Sequence, residues 1–153
     1  MTPAELSKIE KQILIRAPRE RVWRALTNVE EFSKWFGCET VGVFAPGARV
    51  EMVVIHQGRT IPFHVIVEKV EPGRLLSWRW HPGMPRPEVD YSTESPTLVE
   101  FFLEDAEHGT LLTVVESGFD RISLARRAGV FAENDRGWEF QTKSIERYVR
   151  ESA

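Results

Sequence analysis

A chain of 153 residues, 42% of them hydrophobic, is long and apolar enough to fold as one domain with a sizeable core. Its net charge of −3 argues against a general nucleic-acid binder, and its single cysteine, Cys38, excludes an intramolecular disulfide and a cysteine metal cluster. No uncharged run reaches the roughly 18 residues that a membrane span needs. Charged residues also occupy positions 1–12, where a signal peptide would be apolar. We therefore expect one soluble, cytoplasmic domain over residues 1–153, with no nucleic-acid partner.

The N-terminal part predicts a strand followed by two short helices. Ile9–Arg16 alternates loosely between apolar and polar residues, which favours a strand. Pro18 suits the first position of a helix, and Asn28 and Glu31 have the spacing of a capping box at the start of a second helix. Gly37 is a suitable stop for that helix. The apolar stripe of the first helix is Val22, Ala25, Leu26 and Val29.

Six further strands, most of them joined by short turns, predict an antiparallel sheet. They are Thr40–Phe44, Arg49–His56, Thr60–Val70, Leu75–Trp80, Leu98–Glu104 and Thr110–Ser117. Alternation in the fourth of these places Leu76, Trp78 and Trp80 on one face. The segment His81–Pro96 contains four prolines, which forbid a regular strand there and predict a long loop or flap.

The chain ends in a helix whose start the sequence leaves open between Ser123 and Gly137. Its apolar stripe is Phe131, Trp138, Ile145 and Val149. Only this helix is long enough to cover the apolar face of the sheet. The predicted class is α+β, a curved antiparallel sheet wrapped on one long C-terminal helix, with the core at about residues 9–150.

Several short motifs carry a family resemblance. They are Val22–Thr27, Trp35–Gly37, Glu71–Leu76 leading into Trp78 and Trp80, Gly109–Phe119, and Gly137-Trp138 with Ile145, Tyr148 and Val149. The order of elements resembles the helix-grip fold of the START-like (SRPBCC, birch-pollen-allergen-like) superfamily. The motifs resemble its family of activator of heat-shock protein 90 ATPase homologues. This resemblance implies a hydrophobic cavity between sheet and helix that takes lipids, hormones or polyketide-like molecules, and in some members performs cyclisation or hydrolysis.

Tryptophans dominate the candidate ligand-binding residues. Trp35, Trp78, Trp80 and Trp138 either pack in the core or line the cavity, where an indole N–H finds a ligand or water as partner. The polar residues beside the helix stripe, Gln141 and Thr142, favour a solvated pocket, unless Gln141 lies on the exposed edge. Tyr91, in the proline-rich loop, is expected at the entrance.

Two residues are candidates for acid–base chemistry. Period-two alternation places Glu116 on the same inner face as Leu112 and Val114, where an unpaired carboxylate is costly and its pKa rises. Glu116 is then a general acid or base, the partner of an arginine, or a residue at a wet strand end. His56 and His64 are predicted opposite each other on adjacent strands. Without a third ligand, a pocket-lining role is favoured over zinc, so we expect no metal and no organic cofactor.

Three functions follow from these observations. The first is binding of a small hydrophobic or amphipathic ligand without catalysis. The second is an enzyme of the cyclase, hydrolase or isomerase type, with Glu116 or His56 as acid or base. The third is a chaperone-interaction module with an exposed apolar patch on the outer sheet face, where Phe102 is the one large apolar residue placed. An exposed edge strand would also permit a homodimer.

Overall fold

Seven strands form one antiparallel sheet in this computed structural model, which describes residues 7–86 and 88–152. The strands are β1 (Lys8–Ile15), β2 (Glu39–Val41), β3 (Arg49–His56), β4 (Arg59–Glu71), β5 (Leu75–Trp80), β6 (Thr97–Ala106) and β7 (Gly109–Ser117). Their spatial order is β1-β7-β6-β5-β4-β3-β2, so β1 and β2 are the two edges. The domain is expected over residues 1–153, and its charged N-terminal residues 1–6 lie outside the described residues. Pro87 of the proline-rich loop and residue 153 lie outside them as well.

In the described part of the chain, three α-helices accompany the sheet: α1 (Arg19–Thr27), α2 (Val29–Phe36) and α3 (Leu124–Glu151). Asn28 caps α2 by accepting a hydrogen bond from the Glu31 amide at 3.0 Å, and Gly37 ends it with a left-handed φ of 81°, both as predicted. Pro18, predicted inside the first turn of α1, instead stands at its N-cap with extended ψ. The C-terminal helix, whose start the sequence leaves open, begins at Leu124 and continues for 28 residues through Gly137.

The sheet wraps α3 and confirms the helix-grip prediction. Its inner face carries alternating apolar residues. Helix α1 contacts α2, α3, β6 and β7, and α2 contacts α3 and β2. Aromatic rings fill much of the space between sheet and helix. Trp78 is fully buried, with its ring centroid 5.9 Å from that of Phe32 and 4.9 Å from that of Phe101. The wide cavity that the resemblance implies is thus largely occupied by side chains at its centre.

The strand registers correct one prediction about the histidines. His56 pairs with Arg59 in the β3–β4 ladder, and His64 pairs with Glu51. The two histidines are therefore not opposite each other, because the β3–β4 turn has only two residues and not the longer connection needed to bring them level. Among the residues that the structure describes, no group of three or more His, Cys, Asp or Glu side chains is arranged to hold a metal ion.

The outer face and the edge carry exposed apolar residues different from the predicted one. Phe102 is half-buried, whereas Val41, Val43 and Ile55 are 71%, 70% and 76% exposed at the β2 end of the sheet. No described helix combines the length and apolar character needed to cross a membrane.

Candidate functional site

A buried carboxylate, Glu116, organises the end of the space between sheet and helix. Its Oε2 accepts hydrogen bonds from Trp80 Nε1 at 2.8 Å and Thr97 Oγ1 at 2.6 Å. Its Oε1 accepts from Asn134 Nδ2 and Trp138 Nε1, both at 2.8 Å. The side chain is completely buried. Both oxygens are therefore saturated by neutral donors from the protein itself, which is the arrangement expected of an ionised carboxylate.

Local sequence rules explain how these donors meet. Glu116 follows Leu112 and Val114 on the inner face of β7, and it lies opposite Val99 of β6. Two residues earlier on that face of β6, Thr97 pairs with Trp80 of β5. The remaining donors, Asn134 and Trp138, are four residues apart on α3 and therefore lie on the same side of the helix.

Opposing effects act on the pKa of Glu116. Burial raises the pKa above its ordinary value of 4.5, and the four hydrogen bonds counter part of that rise. In the part of the chain that the structure describes, no positively charged side chain contacts this carboxylate, and no charged neighbour contributes to its pKa shift. The site therefore holds a buried acidic group without a counterion, stabilised only by neutral dipoles.

Two small compartments lie beside this group. The smaller, of about 100 Å³, is lined by Phe36, Trp80, Asn134, Gly137, Trp138 and Gln141. The larger, of about 190 Å³, is lined by Phe36, Val54, Phe63, Trp80, His81, Gly83, Met84, Pro85, Glu133 and Asn134. They share the walls Phe36, Trp80 and Asn134, so they are adjacent. Glu116 is behind these walls and lines neither compartment.

The proline-rich loop lines one side of the larger compartment and is hydrogen-bonded to α3. Asn134 Oδ1 accepts a hydrogen bond from the Gly83 amide at 3.0 Å, and Glu133 Oε1 accepts one from the Met84 amide at 2.5 Å. Because Asn134 also donates to Glu116, its amide links the buried carboxylate to the loop. Loop and helix are thus joined directly at the mouth of the site.

Two polar atoms at the compartments lack a partner. Gln141 donates from Nε2 to the Phe36 carbonyl at 2.9 Å, which orients the amide, but its buried Oε1 accepts no hydrogen bond. The buried Nδ1 of His81 is unpartnered as well. Burial lowers the pKa of His81, which favours its neutral imidazole. Buried unpaired polar atoms are uncommon and call for an unseen partner such as water or ligand.

The predicted site residues separate into four groups in the structure. Trp80, Trp138 and Gln141 line the smaller compartment. Glu116 lies behind it, and Thr142 is buried with its hydroxyl bonded to the Trp138 carbonyl at 2.9 Å. Trp35 and Trp78 are core residues, with Trp35 Nε1 donating to the Ala25 carbonyl at 2.7 Å. His56 and Tyr91 lie together in an outer groove of about 630 Å³ between the β3–β4 turn and the loop.

Sequence reasoning did not single out Asn134, Phe63 or His81. Asn134 had a signal, since it stands one helical turn before Trp138 on the apolar stripe of α3, where a polar residue needs a partner. Phe63 and His81 had none, because their place at the compartment depends on how the loop folds back over β4 and β5.

Comparisons with known proteins agree with this geometry at the level of fold and family. The family model described as "Activator of Hsp90 ATPase homolog 1-like protein" matches residues 16–150. A comparison with curated proteins gives no match.

Solved structures of similar fold cover nearly the whole chain. Protein NE0264 from Nitrosomonas europaea has a TM-score of 0.77 at 18% identity, over 97% of each chain. Protein MLL2253 from Mesorhizobium loti has a TM-score of 0.75 at 23% identity, over 95% of this chain and 98% of that one. The Aha1 dimer from Colwellia psychrerythraea, solved in solution, has a TM-score of 0.69 at 20% identity, over 93% and 95%. At such identities the likeness shows the fold alone.

Proposed function

The chain belongs to the family of activator of Hsp90 ATPase homologue 1-like proteins, and we propose that it binds a small apolar or amphipathic molecule in the two compartments beside Glu116, as a cytoplasmic protein. The observation that carries this proposal is the combination of aromatic walls with Gln141, a lining residue whose buried Oε1 accepts no hydrogen bond among the described residues. Ligand sites commonly join apolar walls to a few placed polar groups.

The size of the compartments narrows the ligand. Sites for drug-sized ligands measure roughly 300–1,000 Å³, whereas an apolar cavity of about 150 Å³ holds benzene. Compartments of about 100 and 190 Å³ therefore suit a molecule with one ring, or one of similar bulk, better than a lipid or sterol. A larger ligand would require the loop to release its bonds to Glu133 and Asn134.

Binding without catalysis is favoured over an enzyme. A general acid or base must come within hydrogen-bond reach of the reacting group. Glu116 lines neither compartment, and its four acceptor positions are taken by Trp80, Thr97, Asn134 and Trp138. His56 is exposed in the outer groove and lines neither compartment. We infer that Glu116 is a positioning residue that fixes the indoles and the amide of the site.

Two glycines of α3 provide a matched test. A Cβ added at Gly137 or at Gly129 meets nothing within 4 Å, but only Gly137 lines the smaller compartment. We expect Gly137→Leu to fill that compartment and Gly129→Leu to leave it open. Benzyl alcohol and phenol serve as single-ring probes, titrated by isothermal calorimetry and by the melting temperature, which a ligand specific for the folded state must raise.

The expected result is saturable binding to the wild type and to Gly129→Leu, weakened at least tenfold by Gly137→Leu. Native mass spectrometry of the purified wild type adds a search for a co-purified molecule. Equal affinity in the two glycine variants, or no binding of benzyl alcohol, phenol or protonated benzylamine to any of the proteins, would refute the proposal.

A second candidate function, assembly with another copy of this chain, rests on the exposed edge of the sheet. The exposed Val41 and Ile55 lie on the two outermost strands at this edge, β2 and β3, and the exposed Val43 follows β2. Unpaired edge strands with apolar surroundings favour pairing with a second chain. The structurally similar Aha1 protein from Colwellia psychrerythraea forms a dimer.

Sedimentation equilibrium tests the assembly. We expect a concentration-dependent dimer that Ile55→Ser shifts to monomer, while Leu124→Ser, at an exposed residue on α3, leaves it unchanged. A monomer at all concentrations would refute the homodimer. An added Hsp90-type chaperone then tests the alternative partner, with a stoichiometric complex lost in Ile55→Ser as the supporting result.

A further inference from the structure

The electrostatics of the inner compartments point to the charge of the ligand. Resting on the binding function proposed above, we propose that the ligand is a small organic cation: a protonated amine carrying one ring or a group of similar bulk. Three independent features of the site carry this inference: its acidic groups, its aromatic walls and its unpaired acceptor.

Two acidic groups lie at the compartments, and one of them, Glu116, has no cationic partner among the described residues. Glu116 lies directly behind the walls formed by Trp80 and Trp138, with no charged partner. Glu133 lines the larger compartment itself and, among the described residues, is paired with one cation, Arg86, at 3.4 Å. Of the residues that the structure describes, no lysine or arginine lines either compartment, and burial favours the neutral form of His81 by lowering its pKa. A cation entering this space would gain attraction that an anion would lack.

The aromatic walls have the chemistry that attracts such a cation. Phe36, Trp80 and Trp138 line the smaller compartment, and Phe63 extends the aromatic wall into the larger one. Indole is the aromatic group that binds cations best, and the attraction grows when the cation is desolvated. Both indoles donate Nε1–H to Glu116, and a hydrogen bond to a carboxylate makes the indole ring more electron-rich.

The unpaired acceptor selects a cation that carries N–H groups. Gln141 Oε1 is buried, accepts no hydrogen bond and belongs to a residue lining the smaller compartment. An ammonium group has donors and no acceptor, so it matches this oxygen, whereas a carboxylate ligand would face it with a second acceptor. A hydroxyl also satisfies this oxygen but gains nothing from the negative charge of Glu116. Charge is therefore the property that the test must isolate.

A matched pair of probes isolates the charge. Benzylamine, protonated at about pH 8, and benzyl alcohol have the same number of heavy atoms and each offers a donor. We expect the wild type to bind benzylamine at least tenfold more tightly than benzyl alcohol, by isothermal calorimetry at low salt. In Glu116→Gln, which removes the charge and keeps the shape, the ratio should fall towards one. Circular dichroism and urea unfolding establish that the variant is folded.

The outcomes separate this inference from the binding function. Equal affinities, or tighter binding of benzyl alcohol, would overturn the cationic ligand while leaving the binding function intact. Binding of neither probe would overturn both. If Glu116→Gln does not fold, indole N–H signals of wild-type Trp80 and Trp138 replace it as the second readout. Benzylamine must then shift both signals more than benzyl alcohol does at equal saturation, and equal shifts would count against the proposal.

Discussion

Replacing Glu116 by glutamine should change how the stability of the protein depends on pH. Burial raises the folded pKa of Glu116 above its ordinary value of 4.5. A carboxyl whose folded pKa is raised is favourable to folding in its protonated form, so its contribution is complete below pH 4.5. That contribution is lost as the pH rises through the folded pKa. Wild-type stability should therefore decline across this interval through Glu116, by about 1.4 kcal/mol for each pH unit of the shift.

The Glu116→Gln variant lacks this loss of stability with rising pH, but it also loses a hydrogen bond. A glutamine amide accepts only at its oxygen, so one pair of donors then faces an NH₂ group. The favoured orientation turns the NH₂ towards Thr97, whose hydroxyl can accept, and leaves the Trp80 N–H without an acceptor. A buried unsatisfied N–H costs about 1–3 kcal/mol. At pH 4 the variant should be less stable than wild type by about that amount.

Urea unfolding followed by fluorescence, at intervals from pH 4 to pH 8, measures both effects. We expect the stability difference between wild type and Glu116→Gln to narrow steadily as the pH rises, because only the wild type carries the titrating group. A difference that stays constant would show that the folded pKa is not raised. A difference that widens with pH would show that it is lowered, and would refute the account of an uncompensated buried carboxyl.

Three further changes test the packing and capping of the fold. Gly109→Ala should lower the free energy of unfolding by about 1–3 kcal/mol, because the added Cβ would lie 2.2 Å from the backbone oxygen of Ile15 at the end of β1. Gly129→Ala, whose Cβ meets open space, should leave the protein equally or slightly more stable. Equal urea midpoints for the two variants would contradict this expectation. Asn28→Ala should lower the free energy of unfolding by about 1 kcal/mol, because α2 loses its N-terminal cap, and the melting temperature should fall. An unchanged melting temperature would show that the Asn28 cap does not contribute to stability. Phe101→Ala should lower the free energy of urea unfolding by about 3–5 kcal/mol, because Phe101 is buried in the core. Phe140 is 64% exposed, so Phe140→Ala should lower it by less than about 0.5 kcal/mol. Similar losses in the two variants would refute the placement of the core.

Local sequence patterns were sufficient wherever the determining interactions are close in the chain. The Asn28 cap and the Gly37 stop depend on neighbouring backbone groups, so they were predictable from residue type and spacing. The inward position of Glu116 and the common face of Trp78 and Trp80 follow from the two-residue period of a strand. These rules, together with the order of elements, also predicted the curved sheet on a long helix.

Packing between distant elements decided the properties of the site. The four donors to Glu116 come from positions 18 to 36 residues away in the chain, on β5, β6 and α3, so no local pattern could assign them. Trp78 and Trp80 share a face, yet Trp78 is core and Trp80 lines both compartments. Sequence period fixes the face on which a side chain lies. Whether that face meets another ring or an open space depends on sheet curvature and on how α3 and the loop pack against it.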